Sequence, residues 1–377
     1  MTKHYAHLGI FSDWVDAARA QQPLFPLAQP GAETQRKLRH ALGFCHLPEQ
    51  ALDVQIESRW QRDGVAGELL SYSVGFGPRT QAYLLKPVGV TRPLPGILAL
   101  HDHGGYKFYG KEKIADGPEG EAPGLRAHRQ RAYGNRAFAN ALAREGFAVL
   151  VNDVFLWGSR GFPLETMQAG IGDSPIDDSR YAEQPAEIAH YNALAFAHEH
   201  FAAKYCNLLG TNLAGVVAYE DRVALNYLLS RADVRPDWAG CVGLSGGGNR
   251  AVLLQGTFDR LRACVVVGLM CTYEGLLDHN MSHTWMLFPS LWSREGDWPD
   301  IAACRAPSPL LVQYDLEDQL FTLEGMQAAH ARLQAHYAGV GQPGAYTGQF
   351  YPGPHKFDLQ MQAAAFDWLK RQAGVLK

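Results

Sequence analysis

Short, nearly continuous apolar runs recur along this chain, each followed by a stretch with helical spacing, and that alternation leaves few architectures open. GILALH (96–101), FAVLVNDVF (147–155), AGCVGL (239–244), ACVVVGLM (263–270) and PLLVQYD (309–315) have too few polar positions for strands with one wet face. Such runs are buried on both sides, as in a parallel sheet. NRAFANALAREG (135–146), VVAYEDRVALNYLLSR (216–231), TLEGMQAAHARLQAHYAG (322–339) and LQMQAAAFDWLKRQ (359–372) have the period of amphipathic helices. The alternation predicts an α/β fold, a doubly wound, mostly parallel sheet covered on both faces. Ahead of it, ELLSYSV and TQAYLLKPV flank Gly75-Phe76-Gly77-Pro78 and predict a hairpin.

Residues 1–65 read as an N-terminal helical extension broken at PLFPLAQP (23–30), and 66–377 as the α/β domain. Two segments interrupt the alternation, 106–132 and 158–212. Insertions of that length are usually lids or carry small elements of their own. In the first, Lys107, Lys111, Lys113, Arg126, Arg129 and Arg131 are partly offset by Glu112, Asp116, Glu119 and Glu121, which reads as a solvated lid.

Composition works by exclusion. A formal charge of −4 gives no footprint for nucleic acid or an anionic membrane. The start, MTKHYAHLGIFSDWVDAARA, has no apolar core of a leader peptide, and no stretch reaches the roughly 20 apolar residues of a membrane span. Cys45, Cys206, Cys241, Cys264, Cys271 and Cys304 are scattered and read as reduced core thiols. The expectation is a cytoplasmic chain whose partner is a small molecule. The N-terminal extension could serve as a lid or as a contact with a second copy in a homo-oligomer.

The strongest local signal is Gly243-Leu244-Ser245-Gly246-Gly247, directly after one buried run and before the helical NRAVLLQGTF. A serine at a sharp strand-to-helix turn needs small neighbours, because its backbone approaches other chain closely. The same turn aims the Gly246 N–H at the place where an oxyanion forms. A serine hydroxyl needs a general base, and the base an orienting acid; after an elbow serine they follow in the order acid, histidine. His330 and His336 fall inside a predicted helix. His355, in the turn Tyr351-Pro352-Gly353-Pro354-His355-Lys356-Phe357, can reach the carboxyl edge of the sheet and is the favoured base, with His283 as rival. The acid comes from Tyr314-Asp315-Leu316-Glu317-Asp318-Gln319. Asp318 sits far enough into the turn to bend back, and Asp315 is the second choice. Asp102-His103-Gly104-Gly105-Tyr106 supplies the other oxyanion donor, assigned to Gly105.

LALHDHGGYK, NDVFLWGSRG, GLSGGGNRA, PLLVQYDLEDQLF and PGPHKF together resemble the α/β-hydrolases of the dienelactone-hydrolase and acetyl-xylan-esterase-like group. The likeness runs from about residue 66 to the end of the chain. It implies an α/β-hydrolase fold, a Ser245–His355–Asp318 triad on loops at the strand C-termini, and no cofactor. Relatives usually carry glycine where Asp315 stands.

Other chemistries find less support. His101-Asp102-His103 has a metal-binding spacing but lacks further ligands nearby, and His198 and His200, two apart on a helix, face different directions. No metal is expected. GLSGGGNR lacks the dinucleotide-binding spacing. Tyr106, Trp157, Arg160, His283 and Trp285 lie beside the predicted site and are candidates to touch substrate; Arg160 would hold a substrate carboxylate or form a structural salt bridge, and Trp285 would wall the pocket or pack in the core. The residues point to a serine esterase acting on a small-acyl or acetyl ester. A lactone, peptide or C–C bond hydrolase with the same triad, and a catalytically idle binding protein on the same fold, remain alternatives.

Overall fold

The computed structural model describes residues 3–43, 47–172 and 176–375; Cys45 lies outside them. The apolar runs become strands of one nine-stranded sheet in the order β1-β2-β3-β5-β4-β6-β7-β8-β9. β1 (Leu52–Arg62), β2 (Val65–Ser73) and β3 (Thr80–Pro87) form an antiparallel meander, and β3 pairs antiparallel with β5 (Ala148–Asn152). From β5 onward, through β4 (Leu94–Leu100), β6 (Val234–Leu244), β7 (Leu261–Val267), β8 (Leu310–Asp315) and β9 (Tyr346–Tyr351), every pairing is parallel.

Successive residues of the central strands enter opposite cores, as the period of two requires. Leu98, Leu100, Cys241, Cys264 and Val266 face one core, which also takes residues of α2 (Ala32–Leu42), α7 (Leu213–Ser230), α8 (Gly246–Thr257), α10 (Trp298–Ala303) and α11 (Leu323–Gly339). Ile97, Ala99, Val242 and Val265 face the other, against α4 (Phe138–Arg144) and α12 (Leu359–Gln372). This is the expected doubly wound arrangement. Of the remaining helices, α1 (Asp13–Gln21) is N-terminal and α3 (Arg126–Tyr133) precedes α4. α5 (Leu164–Ile171) and α6 (Ala186–Leu208) fill the segment 158–212, and α9 (Tyr273–Leu276) follows β7. No helix among the described residues is long and apolar enough to cross a membrane.

Two expectations need correction. The helical reading of 1–65 holds only to Leu42, because 52–62 is an edge strand. Its Leu52, Val54 and Ile56 are exposed and interleaved with polar residues, so it carries no buried-strand signal. Nor is 106–132 solvated throughout. Lys107, Lys111, Lys113 and Arg129 are buried, with Lys111 on Asp153 (3.0 Å) and Arg129 on Asp116 (2.6 Å).

The described cysteines, Cys206, Cys241, Cys264, Cys271 and Cys304, are free and buried. After β4 the chain first adds β5 on one side and then β6 on the other. Ligands of open α/β sheets bind at such a switch point, beyond the strands' carboxyl ends.

Candidate active site

Ser245 occupies the switch point, between β6 and α8. Its backbone is at φ 57° and ψ −120°, a left-handed conformation that a non-glycine residue adopts only when its surroundings force it. The flanking chain imposes that geometry. A Cβ on Gly243 would lie 2.4 Å from the Gly247 carbonyl carbon, and one on Gly247 would lie 2.2 Å from the Leu100 oxygen. β6, α8 and the end of β4 therefore meet too closely for side chains at those positions. The elbow is anchored by the Ser245 N–H to the Val267 oxygen (2.9 Å) and by the Asn249 N–H to the Ser245 oxygen (2.8 Å). The positive end of the α8 dipole falls beside the hydroxyl.

His355 sits in the turn between β9 and α12, and its Nδ1 is 2.7 Å from Asp318 Oδ2. The other Asp318 oxygen accepts the Leu320 N–H at 2.8 Å, which fixes the carboxylate. His355 Nε2 is buried and has no hydrogen-bond partner among the described residues. Burial alone would lower the pKa of this imidazole. The hydrogen bond and charge of Asp318, with Asp315 and Asp102 behind it, outweigh burial and raise it. Ser245 and His355 both line one cavity of about 370 Å³, together with His103, Gly105 and His283. Larger cavities elsewhere do not reach Ser245.

Asp315 is close by but differently bonded. Its Oδ2 accepts the Lys356 N–H at 3.1 Å and its Oδ1 is buried without a partner among the described residues. Burial pushes this carboxyl up to about 7. The ligating atoms of Asp315, Asp318 and His355 lie within 4.8 Å of one another, close enough to hold a cation, but His355 Nδ1 is already engaged by Asp318.

The turn after β4 departs from expectation. The Gly105 N–H donates to Nδ1 of His103 at 3.1 Å, so it is used inside the turn. The backbone nitrogen of His103 lies beside the elbow: a Cβ on Gly246 would come within 2.5 Å of it. The sequence signal for a glycine donor misled because Gly104 and Gly105, at φ 58° and 73°, serve the bend itself.

The candidates for substrate contact divide. His283 lines the cavity, and burial first, then the nearby His103 and His355, lower its pKa to about 3. No carboxylate among the described residues hydrogen-bonds it, so it lacks the orienting acid of a base. Trp157 is buried behind the turn, its ring 5.1 Å from that of His103. Tyr106 is buried against His128 (4.9 Å between centroids). Arg160 is buried on Glu220 (2.5 Å) and donates to the Phe76 and Pro78 oxygens. Trp285 turns its indole N–H to His200 (2.9 Å). Trp157, Tyr106, Arg160 and Trp285 thus build the frame of the site and do not line its cavity.

No family model matches the chain. It is 25% identical over 318 residues, 84% of its length and 90% of the relative's, to "putative hydrolase YtaP" of Bacillus subtilis strain 168. Among solved structures it resembles a "putative acetyl xylan esterase" of Bacteroides fragilis NCTC 9343, with a TM-score of 0.62 and 21% identity over 84% of this chain and 74% of that one. It also resembles the glucuronoyl esterase of Solibacter usitatus, with a TM-score of 0.61 and 13% identity over 90% and 92% of the two chains. At these identities the likeness establishes the architecture, and the chain has the α/β-hydrolase fold.

Proposed function

We propose that the chain is a carboxylic ester hydrolase that works through an acyl-enzyme on Ser245. The observation that carries the reading is a serine in a strained elbow lining the same small cavity as a histidine whose far nitrogen is hydrogen-bonded to a buried aspartate. In the reaction, Ser245 Oγ bonds to the acyl carbon as His355 Nε2 takes its proton, with Asp318 holding the imidazole. The N–H groups of His103 and Gly246 stabilise the oxyanion. His355 then protonates the leaving alcohol. Water, deprotonated by the same nitrogen, releases the acid and frees Ser245. The esterases among the structural neighbours and the hydrolase named among the relatives support the same chemistry. A cavity of about 370 Å³ suits a small acyl group.

The test is hydrolysis of p-nitrophenyl esters from acetate to octanoate by wild type and Ser245→Ala, with a fluorophosphonate probe for the serine. Activity that favours acetate and vanishes in the variant is expected. Equal background rates with an unlabelled Ser245 in folded protein would sink the proposal and favour a binding role.

A further inference from the structure

We propose that Glu199, on the inserted helix α6, is a positioning residue for the oxyanion turn and acts through the imidazole of His103; the inference rests on the ester-hydrolase reading of the same site. Glu199 is buried, and four donors converge on it. Its Oε2 accepts from His103 Nε2 (2.9 Å) and Lys107 Nζ (2.5 Å), and its Oε1 from Thr284 Oγ1 (2.8 Å) and the Trp285 N–H (3.2 Å). Burial would raise the pKa of this carboxyl, but Lys107 and His103 outweigh it and hold it well below the usual range. The turn after β4, the segment that follows it and the loop at 284–285 are thus tied to a single charged side chain.

The decisive link is the ring of His103. In a neutral imidazole one nitrogen donates and the other accepts. Nε2 faces a carboxylate and carries the proton, which leaves Nδ1 free to accept the Gly105 N–H at 3.1 Å. Without Glu199 the proton can move to Nδ1, where it would confront the Gly105 N–H donor to donor and open the bend. The His103 backbone nitrogen, which lies beside the elbow, moves with that bend. Lys113 holds the peptide chain from behind, its Nζ on the Asp102 and His103 oxygens at 2.6 and 3.0 Å. Glu199 holds the ring from the front. Helix α6 is therefore part of the machinery that aims an oxyanion donor, as well as a wall.

Two variants test this, Glu199→Gln and the double variant Glu199→Gln/Lys107→Met, which leaves no buried ammonium unpaired and so protects folding. The measurements are thermal melting, kcat and KM on p-nitrophenyl acetate, and inhibition by a trifluoromethyl ketone, whose adduct with Ser245 places an oxyanion in the hole. The double variant should melt near wild type with KM unchanged, while kcat and ketone affinity fall together on the order of 100-fold. Wild-type kcat and ketone affinity in the folded double variant would overturn the positioning role. So would a raised KM with kcat unchanged, which marks a lost substrate contact. A Ser245→Ala control as active as wild type would instead overturn the ester-hydrolase reading itself, whatever the Glu199 variants do.

Discussion

Replacing Asp318 by asparagine separates the two carboxylates beside His355, and the hydrogen bonds fix what must happen. One Asp318 oxygen accepts the Leu320 N–H at 2.8 Å and the other accepts from His355 Nδ1 at 2.7 Å. In the variant the amide oxygen must face the Leu320 donor, so the amide N–H₂ faces the imidazole. His355 Nδ1 then becomes the acceptor and the proton moves to Nε2, the atom that should take the proton of Ser245. A wrong-tautomer lesion of this kind lowers kcat on the order of 10⁴-fold in a serine triad, about 5 kcal/mol of barrier. Asp315→Asn should cost less than about tenfold, because this carboxyl accepts the Lys356 N–H while the imidazole is held by Asp318. Initial rates on p-nitrophenyl acetate at pH 8, with melting curves to confirm folding, compare the pair. The reasoning is refuted if Asp315→Asn is the crippled variant and Asp318→Asn stays within tenfold of wild type.

The same carboxyl makes a stability prediction. A carboxyl pKa raised on folding, from 3.8 to about 7, costs stability increasingly as pH rises between those values, so Asp315→Asn should gain more at pH 8 than at pH 5. The difference is roughly 2–3 kcal/mol and can be read by urea unfolding; an equal effect at both pH values would contradict it. Arg160→Ala should destabilise by about 3–5 kcal/mol, because it leaves Glu220 buried and unpaired, with KM for neutral esters unchanged. A raised KM without loss of stability would return Arg160 to substrate binding.

What was legible in the sequence follows from how each part is made. β4, β5 and β8, and β6 and β7 beyond their first residues, are buried on both faces, so burial alone marks them in the residue pattern. The elbow is legible because its close approaches demand glycine at fixed spacing. β1 was not, since an exposed edge strand of mixed residues obeys no burial pattern. Lys107 read as a solvated charge and Arg160 as a candidate substrate contact because a buried ion pair looks the same in sequence as a free charge; only the partner, Glu199 or Glu220, distinguishes them. Spacing on α6 did hint that neighbours there point apart. His198 packs on Phe162, Glu199 turns to His103 and His200 meets Trp285. No local signal said which of the three faces the chemistry.

The convergence of donors on Glu199 also bears on how the site could be re-engineered. The serine, acid and histidine sit on separate strand ends, so the loops around them look like interchangeable parts. Here the helix between β5 and α7, the turn after β4 and the loop at 284–285 share one carboxylate. A graft of that helix from another hydrolase, made to change substrate scope, would have to bring its counterparts of His103, Lys107 and Thr284 with it. The transferable module is the trio of segments together.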